Sequence, residues 1–102
     1  MKTIKTLKVS AKNPQQLWED IIDKIQANDI RTWEYDGKKD AIARTGRQYK
    51  NQFHFEYETD DHKGVILFIL HSYGTDFAES KAIHFLEEML TSHFGDRIEL
   101  IN

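Results

Sequence analysis

The five histidines, His54, His62, His71, His84 and His93, are the side chains of this chain best suited to acid–base or metal chemistry near neutral pH. Their spacing limits what they can do. No two stand at the i, i+4 spacing that sets a pair of imidazoles over a metal on one helix face, and the chain has no cysteine to supply a thiolate ligand or a sulfur nucleophile. Two histidine–acid pairs are left. His54 and Glu56 alternate along an extended stretch and so share one face of a strand, while His84 and Glu88 lie one helical turn apart, a spacing that suits a surface contact or weak metal ligation. No nucleophile elbow, Gly-rich phosphate loop or dinucleotide fingerprint accompanies them. The sequence therefore leads to no catalytic residue, no metal and no cofactor, and the expectation is a protein that is not an enzyme.

A second chemistry is suggested by KKDAIARTGRQYK, residues 38–50, which sets Lys38, Lys39, Arg44, Arg47 and Lys50 against a single acid, with Tyr49 among them. Basic residues interleaved with an aromatic grip phosphates and stack a base, so nucleic-acid binding through this hairpin is one reading; a solvated charged hairpin is the plainer one. Formal net charge is −3, but residues 1–50 carry eleven Lys and Arg against seven Asp and Glu, and residues 51–102 carry three against ten. Such a split also fits an immunity-type inhibitor whose acidic half faces a basic toxin.

The third candidate surface comes from GVILFILHSYG, residues 64–74, where Val65 to Leu70 are all apolar. A strand with one face in water alternates apolar and polar residues, so an unbroken run implies a second covered face. If the hairpin is centred on His62, then Phe53, Phe55 and Tyr57 share a face with Val65, Leu67 and Ile69 in the core, and His71 reads as a hydrogen-bonded core histidine. The opposite face then shows Ile66, Phe68 and Leu70 beside His54. These four form the expected protein interface, whose partner is another protein or a second copy of the chain. A slip of one residue exchanges the two sets.

The elements that must hold these residues follow from periodicity and end signals. Residues 2–9 form a strand with Leu7 and Val9 inward, Ile4 breaking the alternation as a bulge would. NPQQLWEDIIDKIQAND starts a helix at Asn13 and Pro14, with Gln16 where a capping box places Glu or Gln and with Leu17, Trp18, Ile21, Ile22 and Ile25 in one stripe. RTWEYD, DAIART, QFHFEYET and the apolar run are strands, DGKK and Asp60 to Gly64 turns. The aromatic Trp18, Trp33 and Tyr35 read as core rather than as a ligand cage. TDFAESKAIHFLEEMLTSHFG is a second helix with Asp76 and Glu79 at its start, Gly95 at its end and Ala82, Phe85, Leu86, Met89 and Leu90 inside. RIELI closes the chain as a strand.

The expected fold is α+β in the order β-α-β-β-β-β-α-β. Residues 1–102 make one domain, a mostly antiparallel sheet of 4–6 strands with two helices on one face. The opening MKTIKTLKVSAKN lacks a signal-peptide core and nothing later approaches a membrane span, so a cytoplasmic location and no membrane partner are expected. From Pro14 onward the order helix, three strands, helix resembles a double-stranded RNA-binding domain over about 80 residues, with GTDFAESKAIHFLEEML where that family opens its second helix. Where the family has a basic cluster there, this chain has Asp76, Glu79, Glu87 and Glu88 against Lys81. KTIKTLKVSAKNPQQLWEDIIDKIQ with TWEYD and HFLEEMLTSHFGD is similar to a group of small bacterial proteins. That resemblance implies a compact α+β fold and a cytoplasmic location, and carries no activity.

Overall fold

The N-terminal segment alternates as a half-buried strand should, and in the computed structural model, which describes residues 4–46, 52–72 and 76–101, it forms β1, Ile4–Ala11. Leu7 and Val9 are fully buried, and the pairing runs without a break from Ile4 opposite His71 to Ser10 opposite Val65. The bulge expected at Ile4 is therefore absent from this ladder.

Helix α1, Pro14–Gln26, begins at the proline because its missing N–H is not needed in the first turn. Asn13 precedes it but makes no side-chain cap bond. The cap comes from elsewhere, the Gln15 amide donating to Asp61 Oδ1 at 3.3 Å, while the Gln16 side chain, expected in a capping box, donates to Asp20 Oδ1 at 2.9 Å instead. The Gln15 side chain also reaches across to Thr59, accepting from its Oγ1 at 3.2 Å. A distant turn thus takes the role expected of Asn13, satisfying a first-turn amide.

Strands β2, Trp33–Asp36, and β3, Ala41–Arg44, form a hairpin, and β4, Phe53–Asp60, and β5, Val65–Ser72, form a longer one. In the first turn the left-handed residue is Asp40, with φ 51°, rather than Gly37. Its carboxylate explains why: Tyr35 Oη donates to Asp40 Oδ1 at 2.7 Å and Trp18 Nε1 donates to the same oxygen at 3.2 Å, tying the hairpin to α1. Helix α2, Asp76–Phe94, is followed by a short 3-10 turn from Gly95 and by β6, Ile98–Ile101. The side chains of Asp76 and Glu79, expected as a capping box, lie outside the described residues.

The six strands form one antiparallel sheet in the order β2-β3-β4-β5-β1-β6. One buried cluster joins the sheet to the inner stripes of both helices, Leu17, Trp18 and Ile21 of α1 and Ala82, Leu86, Leu90 and Phe94 of α2. Both helices therefore cover the same face, as the α+β expectation requires. Trp18 stacks on Tyr57 with ring centroids 3.9 Å apart, and Trp33 packs between Phe53 and Phe55. Both tryptophans are core residues.

One sequence expectation is overturned here. Asp60 pairs with Val65, leaving a four-residue loop, Asp61 to Gly64, so the hairpin is centred between His62 and Lys63. That half-residue move reverses every side chain of β5. Ile66, Phe68 and Leu70, expected on an exposed interface, are fully buried under the helices. Val65, Leu67, Ile69 and His71 take the opposite face and are partly exposed. The loop geometry is the cause: Lys63 N–H donates to Asp60 Oδ1 at 3.1 Å, and Gly64 closes the turn at φ +67°, a left-handed conformation that favours glycine.

Candidate functional site on the open face of the sheet

The face away from the helices is built by three long neighbouring strands. β5 contributes Val65, Leu67, Ile69 and His71 as its central row; β4 contributes His54, Glu56, Glu58 and Asp60 on one side, and β1 contributes Thr6, Lys8 and Ser10 on the other. Because the strands pair in register, each level across the sheet has a fixed membership. Lys8, Leu67 and Glu58 share one level, Thr6, Ile69 and Glu56 the next. The face is acidic along β4, apolar along β5 and carries an exposed cation on β1. Ile101 of β6, opposite Lys8 and 41% exposed, extends the apolar part.

At one end of this face three chemistry-bearing side chains meet. His54 and His71 are direct cross-strand partners, and their rings stack with centroids 4.8 Å apart and planes 3° from parallel. Glu56, two residues along β4 from His54, bridges them. Its Oε2 lies 3.1 Å from His54 Nε2 and its Oε1 lies 3.3 Å from His71 Nε2. Two imidazole nitrogens and one carboxylate are thus gathered so that one ligand atom from each lies within 4.8 Å of the others.

Burial differs across the three. His54 is the most enclosed, 9% exposed, whereas the Glu56 side chain is 43% exposed. Burial holds the His54 pKa below the ordinary histidine value; the hydrogen bond to Glu56 opposes this, and the nearby His71 and Lys39 add to the lowering. His54 also borders an open concavity of about 720 Å³ over the β2–β3 hairpin, whose other walls include Lys38, Lys39, Ala41 and Phe53. The arrangement can share a proton among three groups or hold a cation.

The structure distributes the residues expected from sequence unevenly. His54 and Glu56 share a strand face as expected, with His54 on the open side but too enclosed to offer much contact area. Ile66, Phe68 and Leu70 leave the site for the core. His71, expected in that core, joins His54 instead. The signal for this was present in the turn: a glycine at position 64 suits the last place of a four-residue loop, which sets His71 opposite His54.

The basic hairpin does not assemble as one surface among the described residues. Lys38 and Lys39 are exposed in the β2–β3 turn, but Arg44 turns toward the helices, its Cζ 4.2 Å from the Phe85 ring centroid and 5.7 Å from that of Trp33. A guanidinium placed between two aromatic rings contributes packing and cation–π attraction rather than phosphate contact. Arg47, Tyr49 and Lys50 lie outside the described residues. His84 and Glu88 form an exposed pair at 2.8 Å on α2.

No described helix is long and apolar enough to cross a membrane. No protein-family model matches the chain, and no curated protein or solved structure is found to be similar to it.

Proposed function

We propose that the chain is a non-catalytic binding module whose open sheet face pairs with a second copy of itself. The observation that carries this reading is the order of chemistry across that face: Lys8, Leu67 and Glu58 at one level, with the apolar row between the two charges. A two-fold axis running along β5 lays β1 of one copy over β4 of the other. Lys8 then meets Glu58 twice, and Val65, Leu67 and Ile69 meet their own counterparts. Both charges are exposed, and among the described residues neither takes part in an ion pair within the chain.

The size of the face bounds the strength of the pairing. Three strands of eight residues and three of four, at about 3.3 Å per residue and 4.8 Å between strands, give a footprint of roughly 570 Å². Stable interfaces bury about 800 Å² per partner. Val65, Leu67 and Ile69 are already partly buried, so covering the rest contributes about 0.5–1 kcal/mol each, or about 3–6 kcal/mol for six side chains. Association costs about 4–15 kcal/mol. The pairing is therefore weak and concentration-dependent, with the charges fixing its orientation.

The test is the mass in solution by sedimentation velocity from about 10 µM to 1 mM, the range in which a weak dimer dissociates. The wild-type mass should rise toward twice the monomer. Lys8→Glu and Glu58→Lys should each hold the chain monomeric, and the double exchange should restore the dimer. A wild-type monomer throughout, or singles that dimerise as well as the wild type, refutes the reading.

A further inference from the structure

The geometry points to a divalent transition-metal site at His54, Glu56 and His71, formed by two histidine nitrogens and one carboxylate, with Zn²⁺ the fitting ion. The site needs no second copy of the chain, although it lies on the same open face, with Glu56 at the level of Ile69 and the His54–His71 pair one level beyond. The first observation is ligand type. Two imidazoles and a carboxylate are a donor set that Zn²⁺ takes in tetrahedral sites with the fourth position open, and that Fe²⁺ takes with more positions open; Ca²⁺ and Mg²⁺ prefer oxygen ligands.

The second observation is distance. Ligands about 2.0–2.1 Å from a tetrahedral zinc stand about 3.3 Å from one another. A different oxygen of Glu56 faces each ring, Oε2 at 3.1 Å from His54 Nε2 and Oε1 at 3.3 Å from His71 Nε2, each distance of the size of one ligand–ligand edge. The near-parallel rings face the same carboxylate, so both Nε2 atoms approach one region of space. One ligand atom from each residue lies within 4.8 Å of the others, and closing the set to tetrahedral edges requires the two stacked rings to turn toward a common point.

The third observation is rigidity. All three ligands stand on strands, and His54 and His71 are joined by the ladder that holds β4 to β5, so the backbone holds the two imidazoles in place without a loop having to order. Preorganisation of this kind lowers the entropic cost of coordination. The row of Glu58 and Asp60 farther along β4 adds negative potential on the same face, favouring a cation. His84 and Glu88 supply only two ligands on one exposed helix face and make the natural internal control.

The test is calorimetric titration of the chelator-treated full chain with ZnCl₂, together with Co²⁺ addition read by its visible absorption, which is intense only when the ion is tetrahedral. Wild type should take up one ion per chain and give the tetrahedral spectrum. His71→Gln and Glu56→Gln should each weaken binding at least tenfold, with far-UV circular dichroism unchanged, since both side chains are on the open face. His84→Ala should bind as wild type does. Zn²⁺ should also raise the thermal unfolding midpoint of wild type but not of His71→Gln. Absence of binding, a purely octahedral Co²⁺ spectrum, or a loss that follows His84→Ala and not His71→Gln overturns the assignment.

Discussion

Truncating Phe68 and, separately, its neighbour Leu67 to alanine tests which side of β5 carries the core. Phe68 is fully buried, its ring 6.2 Å from that of Trp18, and it stands between Leu7 on β1 and Tyr57 on β4. Removing a buried phenyl ring loses its transfer energy and leaves a cavity, about 3–5 kcal/mol together. Leu67 is partly exposed and flanked by Lys8 and Glu58, so its truncation should cost about 1 kcal/mol or less. A domain of this size is stable by about 5–15 kcal/mol, so the Phe68 variant loses a large share of what holds it folded. Urea unfolding followed by the fluorescence of Trp18 and Trp33, both buried, reads the difference directly. With a slope of about 1.5 kcal/mol per molar, the two midpoints should differ by about 2 M at equal slopes. Should Phe68→Ala fail to fold, Phe68→Leu keeps the comparison, with a midpoint still clearly below that of Leu67→Ala. Equal midpoints, or a larger loss for Leu67, would mean that the hairpin is registered one residue away and that the open face is the other one.

Three further outcomes follow from the turns and the part-buried polar network. The bond from Tyr35 to Asp40, with burial and the Asp40 charge adding, pushes the Tyr35 pKa up from 10.0 to about 12. Its contribution to stability is therefore complete below pH 10 and lost as pH rises toward 12. The thermal midpoint of wild type should fall more steeply over that window than that of Tyr35→Phe, and identical slopes would refute it. Burial pushes Asp40 up, but hydrogen bonds from Tyr35, Tyr57 and Trp18 outweigh it and hold its pKa below 3.8; the matching acid-side loss should begin as pH falls below 3.8, be complete once pH has passed the lowered value, and vanish in Asp40→Asn. At Gly64 an added Cβ would lie 3.1 Å from the Ala11 carbonyl oxygen, and φ is +67°. Gly64→Ala should cost about 1–2 kcal/mol in the same urea assay, and a change within about 0.5 kcal/mol would show that the turn relaxes freely.

The helices and strands were legible in the sequence because each is a local pattern: the stripe of Leu17, Trp18, Ile21 and Ile25 after a proline start, the period of two through Phe53, Phe55 and Tyr57, the stop at Gly95. Helix count, strand order along the chain and the α+β layering follow from those patterns and from the need to bury one face of each element. Even the pairing of His54 with Glu56 is a property of period two. The capping of α1 was not legible, since Asp61 reaches Gln15 from 46 residues away.

The site itself was decided only by tertiary structure. A run in which every residue from Val65 to Leu70 is apolar contains no record of which alternate set is inside, because either set would bury well. Register across β4 and β5 chose, and it was set by the loop from Asp61 to Gly64, a balance of an Asp60 side-chain bond and one left-handed glycine. That choice sent Ile66, Phe68 and Leu70 to the core and brought His71 out beside His54 and Glu56. Composition and local periodicity determine which elements form; the cross-strand partner of a histidine depends on a turn whose shift by one residue alters neither pattern, so the chemistry of this face was fixed where the chain reversed direction.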